Sequence, residues 1–152
     1  PLLFPSTPIQ NPSYQLPKGN YRSIRLELLQ TYKIAYLAMQ VRTGKTLTAI
    51  ATAHKFGATK ILFITKKKAI TDIIAQKDEY ASSLQIFVTN YEQLGNVHEQ
   101  FDIVIIDEAH SLGAFPKPTG RTIEMKRICV GKPIIYLRYS HLKLISEIFY
   151  LI

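Results

Sequence analysis

Residues 101–110 read FDIVIIDEAH, a largely apolar run followed by the acidic residues Asp107 and Glu108 and then by Ala109 and His110. Consecutive Ile and Val residues, without polar alternation, are typical of a strand that is buried on both faces of a parallel sheet. The run therefore predicts a strand over Phe101–Asp107, with Asp107 and Glu108 at its carboxyl end. The tetrapeptide Asp-Glu-Ala-His arises by chance in on the order of one in a thousand chains of this length, so a functional role is favoured.

A second apolar run, Ile34–Met39, precedes a loop that ends in Gly44-Lys45-Thr46. A phosphate-binding loop follows a strand and consists of a glycine, four residues and then Gly-Lys-Ser/Thr. Met39 stands at the first glycine position, so the motif is incomplete when it is taken alone. In this interpretation Gly44 lets the backbone approach the phosphates, Lys45 neutralises them, and Thr46 binds magnesium.

The acidic motif has a matching chemical interpretation. Asp107 is predicted to hold magnesium through water, and Glu108 to orient and deprotonate an attacking water. His110 is predicted to hydrogen-bond within the site and to couple the nucleotide state to movement. Taken singly, Asp107 is equally well explained as a helix cap, and His110 is better explained as a surface histidine. Together the two motifs predict a site for ATP and Mg²⁺.

The rest of the chain alternates between strand-like and helical segments. Continuous apolar strands separated by helices indicate an α/β fold, with a mostly parallel sheet and helices on both faces. Ligands of such sheets collect at the carboxyl ends of the strands, where both motifs fall. The further predicted strands are Lys60–Thr65, Gln85–Thr89 and Pro133–Leu137, and the predicted helices are Thr46–Phe56, Ala69–Tyr80 and Thr119–Cys129.

Composition narrows the class of protein. The chain of 152 residues is 47% hydrophobic and 20% charged, which is typical of one folded domain. Its net charge of +8 and pI of about 9.6 favour a polyanionic partner over the alternative of solvated lysine-rich faces. The single cysteine, Cys129, excludes an intrachain disulfide. No apolar stretch is long enough to span a membrane, so we expect a cytoplasmic protein.

The two ends of the chain differ from its middle. Residues 1–20 contain five of the eight prolines and are predicted to form an extended arm. Residues 21–137 are predicted to form the single folded domain. Residues 138–152 are an atypical tail, either a closing helix or an altered end. A first residue of proline rather than methionine leads us to expect a processed or incomplete chain.

Two loops after the second and third predicted strands carry candidate nucleic-acid contacts. In the first loop, Thr65-Lys66-Lys67-Lys68 offers charges to a phosphate backbone, although a solvated lysine cluster explains it equally well.

The second loop begins with Thr89-Asn90-Tyr91, which offers a hydroxyl, an amide and a ring to the backbone of a nucleic acid. Its alternative explanation is a helix cap at Thr89 or Asn90 with Tyr91 packed beneath it. The functional interpretation is preferred here because both loops leave the same edge of the sheet.

These motifs together resemble the first motor domain of a superfamily-two helicase or translocase, of the DEAD/DEAH-box and Swi/Snf-like kind. Motif I matches Gly44-Lys45-Thr46, and motif II matches residues 107–110. Motifs Ia and Ib resemble the two loops described above. The stretch from Leu37 to Thr46 is most similar to the phage-borne helicase group. The similarity runs from about Tyr21 to Leu137, and in this family the first glycine of the phosphate-binding loop is often replaced.

The resemblance implies a RecA-like P-loop three-layer sandwich that binds ATP and Mg²⁺ and acts on nucleic acid, with DNA favoured over RNA. It also implies that a glutamine upstream of motif I reads adenine, for which Gln30 is the best candidate. The implied cell compartment is the cytoplasm of a bacterium or of a phage-infected host. The full set of predicted nucleotide-site residues is Gln30, Arg42, Thr43, Gly44, Lys45, Thr46, Asp107, Glu108 and His110.

The chain departs from this family at its carboxyl end. A motif III of the type Ser/Thr-Gly/Ala-Thr is expected after the last strand, yet Leu137 is followed by residues 138–141, which read RYSH. A second motor domain, which supplies an arginine finger in this family, is also missing from the sequence.

Three hypotheses follow from these similarities and departures. The first is an ATP-binding motor-domain fragment of a nucleic-acid-dependent ATPase, with little hydrolysis alone. The second is a degenerate module that binds nucleic acid or a partner without catalysis. The third, ranked last, is another P-loop ATPase of the transporter or partition kind, because such proteins generally keep the first glycine.

Overall fold

Five parallel strands form one sheet in the order β1-β5-β4-β2-β3. The computed structural model describes residues 29–38, 44–108 and 120–138. The strands are β1 (Ile34–Ala38), β2 (Lys60–Thr65), β3 (Gln85–Asn90), β4 (Ile103–Asp107) and β5 (Ile134–Arg138). The helices are α1 (Lys45–Phe56), α2 (Ile70–Tyr80) and α3 (Gly120–Cys129), and two 3₁₀ helices span Lys67–Ala69 and Tyr91–Asn96. Residues 29–32 are also helical.

The central strand β4 is the apolar run that the sequence singled out. All five of its residues are buried, because helices cover both faces of the sheet. Its neighbour β2 runs parallel to it, with Ile64 opposite Ile106 in the register. Thr65 and Asp107, the last residues of these two strands, therefore lie side by side at the carboxyl edge of the sheet.

Two apolar cores sit on opposite faces of the sheet. The first core packs α1 and α2 against one face, and the second packs α3 and the 3₁₀ helix Tyr91–Asn96 against the other. The helical residues buried in the first core include Ala49, Ile50, Ala53, Phe56 and Ile73, and those in the second include Tyr91, Leu94, Met125, Ile128 and Cys129. The predicted α/β fold with helices on both faces is confirmed, and every strand pair in the described ranges is parallel.

The predicted elements all exist, and their ends shift by one or two residues. The predicted helix from Ala69 begins at Ile70, because the residues before it form a 3₁₀ turn. Strand β4 begins at Ile103 rather than Phe101. Strand β5 extends to Arg138, one residue into the predicted tail. Residues 1–20 of the predicted arm and residues 139–152 of the predicted tail lie outside the described residues.

Asp102 explains why β4 begins where it does. Its Oδ2 accepts hydrogen bonds from Thr59 N–H, Thr59 Oγ1 and Lys60 N–H, each at 2.9 Å. Partial burial raises the pKa of this carboxyl, but the three hydrogen bonds and the Lys60 charge outweigh burial and hold the pKa below its usual value. The carboxylate thus joins the amino ends of β2 and β4.

His54 and Cys129 are buried titratable side chains whose pKa is shifted by burial. His54 on α1 is 9% exposed, and its Nε2 has no hydrogen-bond partner among the described residues. Burial lowers the pKa of this imidazole, because the charged form loses hydration. Burial likewise raises the pKa of the Cys129 thiol to about 12, although the nearby Lys132 charge opposes the shift.

None of the helices in the described part of the chain is long and apolar enough to cross a membrane.

Candidate nucleotide-binding site

Helix α1 begins directly after Gly44, which adopts a left-handed conformation (φ 74°, ψ 29°). A side chain at this position would be strained, so glycine is the residue that suits the turn. Gly44 has no side-chain oxygen with which to cap the helix, and its carbonyl accepts bonds from the N–H and the hydroxyl of Thr48, both at 2.9 Å. The first amides of an α-helix have no partner within the helix, so the amino end of α1 is a type of site that suits an anion.

Lys45 and Asp107 meet across the carboxyl edge of the sheet. The Lys45 Nζ lies 3.2 Å from Asp107 Oδ1, and the two side chains are 19% and 8% exposed. These residues are 62 positions apart in the sequence, one after β1 and the other at the end of β4. The fold thus brings the Gly44-Lys45-Thr46 motif next to the acidic motif that begins at Asp107.

Asp107 is held at its side chain and at its main chain. Its Oδ2 accepts a 3.0 Å hydrogen bond from the Thr65 hydroxyl, and its main-chain carbonyl accepts one from the Tyr91 hydroxyl. The other carboxylate oxygen, Oδ1, is buried, accepts no hydrogen bond from the described residues, and faces the Lys45 ammonium. One oxygen is therefore anchored, and the other is aimed at the phosphate-binding loop.

These donors suit a magnesium ion that arrives with a nucleotide. Mg²⁺ takes oxygen ligands, keeps several waters, and is usually bound by one or two carboxylates plus substrate phosphates. Asp107 Oδ1 offers the carboxylate, and Thr46, the predicted second ligand, is buried in the first turn of α1. No group of three or more His, Cys, Asp or Glu residues forms a metal cluster within the described ranges. The donor set therefore fits Mg²⁺ held jointly with phosphate.

Glu108 occupies an unusual backbone conformation next to this carboxylate. Its φ of 53° lies in the left-handed region, which L-residues with a side chain adopt at some energetic cost. Its N–H donates to the Leu137 carbonyl at 3.1 Å, which fixes the backbone to the end of β5. Its Oε2 lies 2.7 Å from Lys66 Nζ. The carboxylate predicted to orient water is thus paired with a lysine of the basic loop.

The basic loop divides into a buried and an exposed part. Thr65 is 0% exposed, so this conformation leaves it no surface with which to contact a polyanion. Its hydroxyl donates to Asp107, and its contact with nucleic acid stays a prediction. Lys67 and Lys68 are exposed and form no ion pair within the described ranges, whereas Lys66 is paired with Glu108.

The loop after β3 forms the helix cap that was the alternative explanation of its residues. Asn90 Oδ1 caps the 3₁₀ helix by accepting from the N–H groups of Glu92 and Gln93, at 3.0 and 3.1 Å. Tyr91 is 2% exposed and packs in the second core. Both side chains thus have capping and packing roles, and their contact with nucleic acid stays a prediction. Thr89 is half-buried, and its contact with nucleic acid stays a prediction.

Gln30, Arg42, Thr43 and His110 are the other predicted residues of the nucleotide site. Gln30 is exposed in the helical residues 29–32, and its contact with adenine stays a prediction. Arg42, Thr43 and His110, together with Met39 at the first glycine position, lie outside the described residues.

Sequence reasoning missed the way in which Thr65, Lys66 and Tyr91 support the acidic motif. Each was expected to face a nucleic acid, yet each contacts Asp107 or Glu108. The missing information was the strand order. Once β2 is known to lie beside β4, Thr65 falls next to Asp107.

Comparison with known proteins supports the fold. No protein-family model matches the chain, and no curated protein sequence matches it. The fold is similar to that of the Sulfolobus solfataricus SWI2/SNF2 ATPase core, solved in complex with dsDNA, with a TM-score of 0.66 and 16% sequence identity. The alignment covers 91% of this chain and 37% of that chain. The protein therefore has a RecA-like α/β fold and spans 37% of the length of this structural relative.

Proposed function

We propose that this chain is the first motor domain of a nucleic-acid-dependent ATPase of superfamily two, and that it binds ATP with Mg²⁺ at the carboxyl edge of its sheet. The observation that carries the proposal is the approach of Lys45 Nζ to Asp107 Oδ1, 3.2 Å apart and largely buried. A half-buried lysine and a buried carboxylate at the amino end of α1 suit a phosphate and a divalent cation.

Each residue of the site has a chemical role in this proposal. The Lys45 ammonium and the first amides of α1 would bind the nucleotide phosphates, and Thr46 and Asp107 would hold Mg²⁺. The ion, when bound, neutralises charge on the transferred phosphoryl group. Glu108 would orient the attacking water, which requires its carboxylate to leave Lys66.

Nucleic acid is the proposed partner. The net charge of +8 and the exposed lysines at positions 67 and 68 favour a polyanion. The structural relative is an ATPase core in complex with dsDNA, which favours DNA for this chain as well. The finer proposal is a member of the phage-borne group, supported by the sequence of Leu37–Thr46, with a DEAH motif at residues 107–110. The proposed location is the cytoplasm of a bacterium or an infected host.

Hydrolysis by this chain alone is proposed to be slow. In related enzymes an arginine finger is worth roughly a thousandfold or more in rate, and here a second motor domain would have to supply it. Turnover above about one per second from the isolated chain would contradict the proposal that it is an incomplete ATPase.

The decisive test is Mg²⁺-dependent nucleotide binding. We expect Lys45→Ala to weaken binding of a fluorescent ATP analogue at least tenfold, because it removes the charge that faces the phosphates. Lys77→Ala is the matched control, since Lys77 forms an ion pair of similar length with Asp78, at 3.1 Å, on the surface of α2. Equal affinities in the Lys45→Ala variant and the unmodified chain would refute the proposed site.

A non-catalytic binding module is the second candidate. It is favoured by the Lys66–Glu108 ion pair, which engages the carboxylate that catalysis requires. DNA binding that is indifferent both to ATP and to Lys45→Ala would support this candidate over the first.

A further inference from the structure

We propose that Lys66 binds two anions in turn, first the Glu108 carboxylate and then a phosphate of the nucleic-acid backbone, and that this exchange releases Glu108 to act on water. The inference rests on the proposed function and adds a means by which nucleic acid controls the same site. It starts from the 2.7 Å contact between Lys66 Nζ and Glu108 Oε2.

The pairing follows from the sheet. Strands β2 and β4 are adjacent and parallel, with Ile64 opposite Ile106. The residues that follow Ile64 therefore lie next to those that follow Ile106. Thr65 donates a hydrogen bond to Asp107, and Lys66 forms an ion pair with Glu108. Two consecutive residues of the basic loop thus hold two consecutive carboxylates of the acidic motif. The nucleic-acid surface and the hydrolytic site are joined through these two contacts.

The two contacts differ in how easily they can be exchanged. Thr65 and Asp107 are buried, so their hydrogen bond is shielded from water and ions. The side chains of Lys66 and Glu108 are 36% and 33% exposed, and ion pairs of this kind contribute little to stability. A phosphate group can therefore replace Glu108 on Lys66 while Asp107 stays in place.

The neighbouring charges favour a polyanion over the single carboxylate. Lys67 and Lys68 follow Lys66 directly and are exposed. A nucleic-acid backbone that contacts these two lysines brings further phosphates close to Lys66, and several contacts on one polymer reinforce each other. A lone carboxylate lacks this advantage, so the exchange becomes favourable when nucleic acid is bound.

The backbone next to the Glu108 carboxylate is fixed on its amino side. The Glu108 N–H is bonded to the Leu137 carbonyl, and the preceding carbonyl, that of Asp107, accepts a bond from Tyr91. The peptide group between Asp107 and Glu108 is therefore held at both its N–H and its carbonyl. The exchange that we propose moves the Glu108 side chain and leaves this peptide group in place.

A binding experiment without nucleotide tests the exchange directly. Affinity of the full chain for a short DNA duplex is measured by fluorescence anisotropy over a range of salt concentrations. We expect Glu108→Gln to tighten binding about threefold to tenfold at low salt and to steepen the salt dependence by about one released counterion, because Lys66 becomes available to a phosphate. In a Lys66→Ala background, Glu108→Gln is expected to change the affinity less than twofold.

The matched control removes a carboxylate that pairs with a lysine at the opposite end of β2. Glu99 pairs with Lys60 at 2.6 Å, so Glu99→Gln makes the same change of charge and also releases a lysine. We expect it to leave the affinity for DNA within twofold. Equal tightening by Glu99→Gln and Glu108→Gln, or tightening by Glu108→Gln that persists with Lys66→Ala, would overturn the proposal.

Single-turnover hydrolysis of ATP supplies the second measurement. We expect Lys66→Ala to raise the rate without DNA severalfold and to abolish any further stimulation by DNA. An unchanged rate without DNA, together with normal stimulation, would count against the exchange. ATP binding that does not depend on Lys45 would refute the proposed function instead. The DNA-binding experiment contains no nucleotide, so its result tests the exchange separately.

Discussion

The Thr65 hydroxyl donates a 3.0 Å hydrogen bond to Asp107 Oδ2, and both side chains are buried. This bond fixes which carboxylate oxygen remains to face Lys45. It also begins the basic loop with a residue that contacts the carboxylate proposed to hold magnesium. The proposed exchange at Lys66 leaves this buried contact in place.

Replacement of Thr65 should weaken the magnesium site without abolishing nucleotide binding. We expect Thr65→Val, which has the same shape but no hydroxyl, to raise the Mg²⁺ concentration needed for half-maximal binding of an ATP analogue about tenfold, since residues that orient a metal ligand typically affect affinity by roughly 10–100-fold. Thr65→Ser keeps the hydroxyl and should behave as the unmodified chain. Nucleotide affinity measured without magnesium should be the same in all three, and a parallel loss there would point to a general folding defect.

Asn90 should matter for stability rather than for nucleic acid. Asn90→Ala removes the cap from the 3₁₀ helix Tyr91–Asn96 and should lower the free energy of unfolding by about 1 kcal/mol, the usual size of a lost cap. Asn90→Ser keeps a capping oxygen and should retain most of that stability. Urea denaturation measures the difference. If Asn90→Ser were fully stable but bound DNA several times more weakly, a direct role of the amide in DNA binding would be restored.

The Asp102 carboxylate should make stability depend on acid. Because its pKa is lowered in the folded chain, its contribution is fully present above its ordinary pKa of 3.8 and is lost as the pH falls through the lower folded value. We expect Asp102→Asn to lower the free energy of unfolding at pH 7 by about 1 kcal/mol, a small effect because the site is exposed. The difference from the unmodified chain should shrink as the pH approaches 3. Asp78→Asn, at a carboxylate whose side chain is 64% exposed, is the control and should change little at either pH.

The buried His54 should produce a separate pH dependence in a higher range. Its lowered pKa means that the folded state favours the neutral imidazole, so stability is full above the ordinary pKa of 6.5 and declines as the pH falls from there through the folded pKa. We expect His54→Leu to flatten the free energy of unfolding between pH 7 and pH 5. His98→Gln, at an exposed histidine, should retain the slope. Identical slopes in the His54→Leu variant and the unmodified chain would show that another group titrates.

Much of the fold could be predicted from local patterns. The apolar run that forms β4 and the Gly44-Lys45-Thr46 loop identified two strand ends that carry candidate site residues. Buried parallel strands and phosphate-binding turns both have characteristic sequence patterns. Element ends were accurate to one or two residues. Asn90 and Tyr91 were assigned to nucleic acid although the capping alternative was recognised, because a cap and a surface ligand use the same residue types.

The contacts around Asp107 and Glu108 could not be predicted in the same way. They depend on β2 lying beside β4, although α2, β3 and two 3₁₀ helices separate these strands in the sequence. Local periodicity does not specify which strands become neighbours. The partners Thr65 and Lys66 therefore emerged only from the three-dimensional arrangement.

Cys129 gives the molecule a practical property. It is the only cysteine in the sequence, it is 2% exposed, and its thiol has a pKa of about 12, so the reactive thiolate is scarce at neutral pH. The natural chain can thus serve as an unreactive background for thiol chemistry. A single new cysteine at an exposed position such as Lys68 would carry a fluorophore or spin label alone, and its signal would follow the basic loop as nucleotide and DNA bind.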